Sequence, residues 1–280
     1  MGQHRKYMKT LNLRKMKSEL VSPVKYQLVS DDNQVDMNKL IGHTIRIRHT
    51  GEINCVACGR RINKSFNQGY CYPCFKKLPE CDICIVSPEK CHFDQGTCRD
   101  EEWGRQHCMQ PHIIYLSNTS GVKVGITRQT QIPTRWIDQG AVQALPILQV
   151  ASRYQSGLLE VAFKQHVADK TNWRRMLKND TEEIDLPMMR DRLLELCASE
   201  ISQSQQQFGE DSIEFLDQAA TTLDYPVEHY PQKVTSMNLD KTPEISGKLE
   251  GIKGQYLLLD TGVINIRRHG GYQVELETED

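Results

Sequence analysis

Nine of the ten cysteines of this 280-residue chain fall between Cys55 and Cys108, and no other feature limits its fold so sharply. The block is rich in proline and glycine, has short polar links and shows little 3.6-residue periodicity, so it cannot assemble much of an apolar core. Within it, Cys55-x2-Cys58 and Cys71-x2-Cys74 stand twelve residues apart. Two thiolates two residues apart wrap one edge of a tetrahedral ion, and a second such pair completes it. Gly59 and Gly69 suit the tight turns this requires. A zinc ion on Cys55, Cys58, Cys71 and Cys74 is therefore expected. Four thiolates leave no position open for catalysis, so the ion is structural, and its binding free energy, of order 10–16 kcal/mol, is folding free energy.

A second group offers Cys81, Cys84, Cys91, His92, Cys98, His107, Cys108 and His112, more ligands than one further zinc needs. Cys84, Cys91, Cys98 and Cys108 are the expected set, with Cys81 or a neighbouring histidine as the replacement. A redox dithiol at Cys81 and Cys84 is the competing reading, and it lacks a thioredoxin-like surround. Cys197 stands alone in an amphipathic stretch and reads as a small core residue.

Clustered thiols are better explained by metal than by disulfides in a reducing compartment. The N-terminus has positive charge without the apolar run of a secretory signal, and no segment approaches the roughly 18 apolar residues of a spanning helix. A cytoplasmic location and no membrane partner are expected. The formal net charge of -1 conceals an asymmetry. Residues 1–20 carry six Lys/Arg against one acid, and residues 103–137 carry Arg105, Lys123, Arg128 and Arg135 with no acid. Residues 180–228 hold thirteen Asp/Glu against Arg190 and Arg192. A basic front suits a polyanion, and an acidic back suits solvent or a protein partner.

Along the chain, Val24–Val29 and Thr44–Arg48 alternate like strands. Ile113–Leu116 and Val122–Ile126 flank the turn-like Asn118-Thr119-Ser120-Gly121 and predict a β-hairpin. A helix is expected from Pro133 through Arg135 and Trp136 towards Gly140, a strand over Leu145–Val150, and a helix over Leu158–Val167. Segments 188–203 and 209–220 read as two further amphipathic helices. Gly247–Ile252, Gln255–Leu259 and Gly262–Ile266 read as short strands before an acidic tail from Glu275 to Asp280.

Ile114-Tyr115 on one strand, Lys123-Val124-Gly125 on the next, Arg135 on the following helix and Glu160 on a later one resemble the core of the GIY-YIG endonuclease superfamily. The resemblance implies that Tyr115 helps activate water, Gly125 permits close approach, Arg135 steadies phosphate and Glu160 holds magnesium or manganese. Isoleucine stands where the first family glycine is expected, and Lys123 replaces the second tyrosine, where it would contact phosphate. Taken with the cysteine clusters, the pattern resembles over most of the chain a bacterial family known only as a domain of unknown function.

The fold class expected is α+β: a zinc-ribbon or treble-clef-like cysteine module, a GIY-YIG-like β-β-α-β-α core and small β elements at both ends. The divisions fall at 1–52 (basic segment and β element), 53–108 (two-zinc module), 109–178 (core), 179–230 (acidic helices) and 231–280 (β unit and tail).

Arg60, Arg61 and Lys64 beside the first knuckle, Arg128, and the run Trp173-Arg174-Arg175 are candidate nucleic-acid contacts, the last pairing an aromatic plane with guanidinium groups. No Gly-rich phosphate loop is present. The function expected is nucleic-acid binding with divalent-metal-dependent phosphodiester hydrolysis. The alternatives are a non-catalytic zinc-stabilised adaptor for nucleic acid or protein, and a thiol redox or metal sensor.

Overall fold

The structure is a computed structural model that describes residues 7–31, 33–167 and 172–279. Its spine is the strand Thr44–Asn54, eleven residues long. Ile45 and Ile47 point inward from it and Ile53 follows at its far end, as alternate positions of a one-sided strand do. It pairs antiparallel with Glu244–Lys253 on one side and Tyr272–Glu279 on the other, so that Ile47 faces both Ile245 and Leu276. The resulting sheet runs Tyr7–Asn12, Tyr272–Glu279, Thr44–Asn54, Glu244–Lys253, Tyr256–Leu259, Gly262–Asn265, with Arg61–Ile62 also paired to the spine. The β elements expected at the two chain ends thus form one sheet around one core of Leu11, Ile45, Ile47, Leu249, Val274 and Leu276. The expected acidic tail is an inner strand of that sheet: Glu275 lies opposite Arg48 and ion-pairs with it, and Glu277 is buried. Cross-strand charge pairing converts a run that reads as solvated in sequence into a strand. A small sheet of Lys17–Glu19, Lys25–Val29 and Gln34–Asp36 caps the same core through Tyr26 and Leu28.

A second sheet, in the order Ile213–Phe215, Gln143–Val150, His112–Asn118, Val122–Arg128, carries the expected hairpin, with Thr221–Thr222 also paired to Gln143–Val150. All seven residues of His112–Asn118 are buried because both faces of the sheet are covered. Ile113 and Tyr115 face Trp136, Ile137 and the core of the large sheet. Ile114 and Leu116 face Leu159, Phe163, Leu193 and Ile201 of the helices behind. The period of two assigns each residue to its layer.

The β-β-α-β-α order is present, with helices Thr134–Asp138 and Arg153–Phe163. The second starts five residues before the expected Leu158, at a cap where the Ser152 hydroxyl accepts the Gln155 N–H. Segment 188–203 is two helices, Leu186–Leu196 and Ala198–Phe208, meeting at Cys197, which is buried as expected. The helix expected over 209–220 is absent. Gly209, at φ 105°, ends the preceding helix, and Ile213–Phe215 pairs with Gln143–Val150, Ile213 opposite Val150. Tertiary pairing overrides a helical pattern there.

The two sheets are locked beside the short helix Thr134–Asp138. Asp138 ion-pairs with Lys15 and accepts the Gln255 amide at 2.9 Å, while the Gln255 side chain hydrogen-bonds both the N–H and the C=O of Met16. Residues from positions 15, 138 and 255 therefore meet at one point. No helix among the described residues is long and apolar enough to cross a membrane.

Candidate functional site

The first four cysteines converge. Gly59, at φ 70°, turns the chain back so that its N–H reaches the Cys55 carbonyl at 2.9 Å. Cys71 then caps the helix Tyr72–Lys77, its sulfur accepting the Cys74 N–H, and the Cys71 N–H reaches the Cys55 sulfur at 3.2 Å. All four sulfurs lie within 4.8 Å of one another, Cys58 and Cys71 at 3.8 Å. Zinc–sulfur bonds of about 2.3 Å set a tetrahedral edge of about 3.8 Å, so the donor set fits zinc. Burial pushes the Cys55 thiol up, but three backbone N–H donors outweigh it and hold it down to about 6. Hydrogen bonding to the neighbouring sulfurs and burial push Cys74 up to about 12. Four thiols this close cannot all ionise without a cation among them.

The remaining cysteines separate into two environments. Cys84, Cys91, Cys98 and Cys108 surround one small cavity together with His92. Cys81 faces a different, larger cavity and accepts the Asn67 amide at 3.5 Å. His107 stacks on Trp103 at 4.2 Å, and His112 lies buried in the hairpin with Nδ1 on the Gln110 carbonyl at 2.7 Å. Of His92, His107 and His112, His92 alone lines the small cavity.

Val122–Arg128 is an edge strand of its sheet. Along that edge, between helices Thr134–Asp138 and Arg153–Phe163, opens a cleft of about 470 Å³. Lys123, Arg128, Arg135 and Glu160 line it. Tyr115 and Gly125 sit directly opposite each other in the hairpin behind them. A Cβ on Gly125 would lie 2.6 Å from the Tyr115 hydroxyl oxygen, so only glycine leaves room for that ring. The hydroxyl donates to Gln139 Oε1 at 3.1 Å, and Gln139 is itself in the cleft wall. Of the five residues expected from sequence, Lys123, Arg135 and Glu160 thus line the cleft, and Tyr115 and Gly125 lie behind it with Tyr115 fully buried.

The tertiary structure adds groups that local sequence did not single out. Lys15, Arg153, Lys164 and Arg267 also line the cleft, giving seven cationic side chains against Asp138 and Glu160 among its described lining residues. Lys15 is committed to Asp138, and Lys164 to Glu160 at 3.3 Å. Arg153 donates to the Ile85 carbonyl at 2.6 Å. The i, i+4 spacing of Glu160 and Lys164 is a readable signal. Lys15 and Arg267 carry none, since they arrive from opposite ends of the chain.

Burial sets the ionisation of these groups. It lowers Lys123 to about 8, helped by the Arg135 charge and opposed by Glu160. Burial raises Glu160, opposed by its pairing with Lys164. It also raises Tyr115 against the charge and hydrogen bond of Arg135, so the phenol keeps its proton near neutral pH.

Other sequence candidates lie outside the cleft lining. Trp173 stacks on Tyr256 at 5.9 Å and Arg174 covers Trp173 at 4.3 Å, while Arg175 is held by Asp180. Arg60, Arg61 and Lys64 are exposed on the first knuckle, Arg61 paired with Glu52 at 3.2 Å. Arg5 and Lys6 of the basic N-terminal segment lie outside the described residues.

Mixed sheets and helices joined to a four-cysteine cluster define a metal-compatible α+β protein. The chain belongs to the family described as "Protein of unknown function (DUF2797)", whose model matches residues 42–274. No curated protein and no solved structure matches it significantly.

Proposed function

We propose that the cleft binds the phosphodiester backbone of a nucleic acid and hydrolyses it with the help of a divalent cation. The convergence of Lys123, Arg135 and Glu160 on one cleft with seven cations against two carboxylates, backed by the Tyr115–Gly125 pair of the hairpin behind it, carries this reading. Such an excess attracts a polyanion by displacing its counterions. It also opposes the charge that grows on phosphate oxygens during displacement.

Arg135 and Lys123 would hold the non-bridging oxygens. Tyr115, a buried protonated phenol that donates to Gln139 and accepts from Arg135, would act on the attacking water through those two cleft-lining side chains. Glu160 offers the carboxylate oxygens for magnesium or manganese, and a single carboxylate with water and substrate phosphate completing the shell is an ordinary magnesium arrangement. The cation when bound supplies Lewis acidity and a more acidic water.

Beside the cleft, a second cavity of about 840 Å³ shares Lys15, Ile85, Val86 and Arg267 with it and continues past Tyr70 and Phe75 to the cysteine module. Its aromatic and aliphatic walls suit the bases of flanking nucleotides, and this gives the zinc module a part in binding.

The test is cleavage of labelled single-stranded, duplex and branched DNA and RNA with magnesium or manganese, wild type against Glu160→Gln. Cleavage abolished with retention intact is the expected result. A specific contact favours the second reading, a binding adaptor without catalysis: Lys164 occupies the Glu160 carboxylate at 3.3 Å, where a metal would otherwise sit. Retention without cleavage by either protein establishes the adaptor.

A further inference from the structure

We propose that Cys84, Cys91, Cys98 and Cys108 bind a second zinc ion, and that this ion fixes the wall against which the Glu160 helix rests. None of the large hydrophobic clusters reaches this segment. From Pro79 to Gln95 the backbone is four consecutive 3₁₀ turns, and no residue between 63 and 111 belongs to any of the hydrophobic clusters. Val86 is 74% exposed. Yet Cys84 and Cys108 are buried, and the four cysteines, brought from a turn, two loops and the end of helix Glu101–His107, line one cavity of only about 10 Å³, their sulfurs less tightly gathered than the four of the first cluster. That is room for about one small atom. Gly104 permits the meeting: a Cβ there would lie 3.2 Å from the Cys98 sulfur and 2.8 Å from the Phe93 ring.

His92 also borders the cavity, and with Asp82 and Cys84 it offers ligand atoms within 4.8 Å of one another. Its ring is already engaged on both sides, however, with Nδ1 2.8 Å from the Thr97 hydroxyl and Nε2 3.5 Å from the Asp82 carboxylate. Asp82 in turn holds Arg99 at 2.7 Å. In this assignment His92 and Asp82 form an outer layer around an inner set of four thiolates. On binding, the thiols release their protons to solvent and the sulfurs coordinate the ion.

The same segment braces the cleft. The Arg153 N–H donates to the Cys108 carbonyl at 2.8 Å and its guanidinium to the Ile85 carbonyl at 2.6 Å. Gly157, one turn before Glu160, packs so closely on Pro88 and Glu89 that a Cβ would lie 2.5 Å from the Glu89 nitrogen. The ion would therefore position Glu160 without touching substrate.

The experiment is elemental analysis of the full chain purified without chelator. Wild type is expected to carry two zinc ions per chain. The Cys91→Ser/Cys98→Ser variant should carry one, the Cys58→Ser/Cys74→Ser variant one, and His92→Ala two. One ion in wild type, or two in Cys91→Ser/Cys98→Ser, overturns the proposal, and loss of an ion in His92→Ala overturns the ligand set. Cobalt titration of metal-stripped wild type needs no folded variant. Thiolate-to-cobalt absorption that rises to two equivalents supports the second site, and saturation at one overturns it.

Discussion

The first cysteine cluster and the cleft are built in opposite ways. The cluster takes all its ligands from Cys55 to Cys74, a stretch short enough for two turns and one helix cap to bring them together. The cleft draws on residues from Lys15 to Arg267, and it exists only once both sheets and two helices have docked. A local site can be held by one ion, whereas a dispersed site inherits its geometry from the whole core. The first should therefore fail alone, and the second should fail with the fold or through one misplaced side chain.

The largest effect expected is from the metal. Cys58→Ser/Cys74→Ser should remove stabilisation of order 10 kcal/mol from the knuckle and expose residues 53–78 to protease, with hydrogen-exchange protection of His112–Asn118 retained. Loss of protection in that strand would break the contrast. Next comes acid. His112 is buried with its Nε2 unpartnered among the described residues, and burial lowers it from 6.5 to about 4. Its folded form prefers the neutral ring, so its contribution is complete above pH 6.5 and is lost as pH falls to about 4. At 1.36 kcal/mol per unit this is roughly 3 kcal/mol. Denaturant midpoints across this range should fall more steeply for wild type than for His112→Leu.

Smaller still is Gly125→Ala, whose Cβ must displace the Tyr115 ring. It should cost about 1–3 kcal/mol in thermal unfolding and abolish cleavage if Tyr115 serves the reaction. The smallest effect is at Lys123. With Lys123 lowered to about 8, its charge is present below that pH and lost above it. Retention of nucleic acid should weaken through pH 8 in wild type, and Lys123→Met should remove that step and reduce the salt slope by about one. An unchanged slope would place Lys123 away from phosphate.

The legible parts were those written in nearest-neighbour chemistry. Cys-x2-Cys spacing reports a turn, alternation over Ile113–Leu116 and Val122–Ile126 reports a hairpin, and Tyr115 opposite Gly125 follows from the register of that hairpin. In the second cysteine group, spacing leaves Cys81 and the neighbouring histidines open as replacements for the expected Cys84, Cys91, Cys98 and Cys108, because it constrains chain length and not direction. Only the folded chain turns Cys81 to one cavity and Cys84 to another. The segment 209–220 misled for a related reason: its apolar positions fit a helix, but the edge of Gln143–Val150 offered hydrogen bonds that the isolated sequence does not display.

By itself, then, the sequence determined the four-cysteine knuckle, the hairpin and the types of side chain available for chemistry, since each depends on contacts a few residues apart. The tertiary structure decided that both chain ends share one sheet, that Glu275–Glu279 is a strand, and that Lys15 and Arg267 join Lys123, Arg135 and Glu160 in one cleft. Those pairings span more than a hundred residues. Their partners are selected by burial of a common core and by charge neutralisation across strands, and neither leaves a periodic trace in the chain.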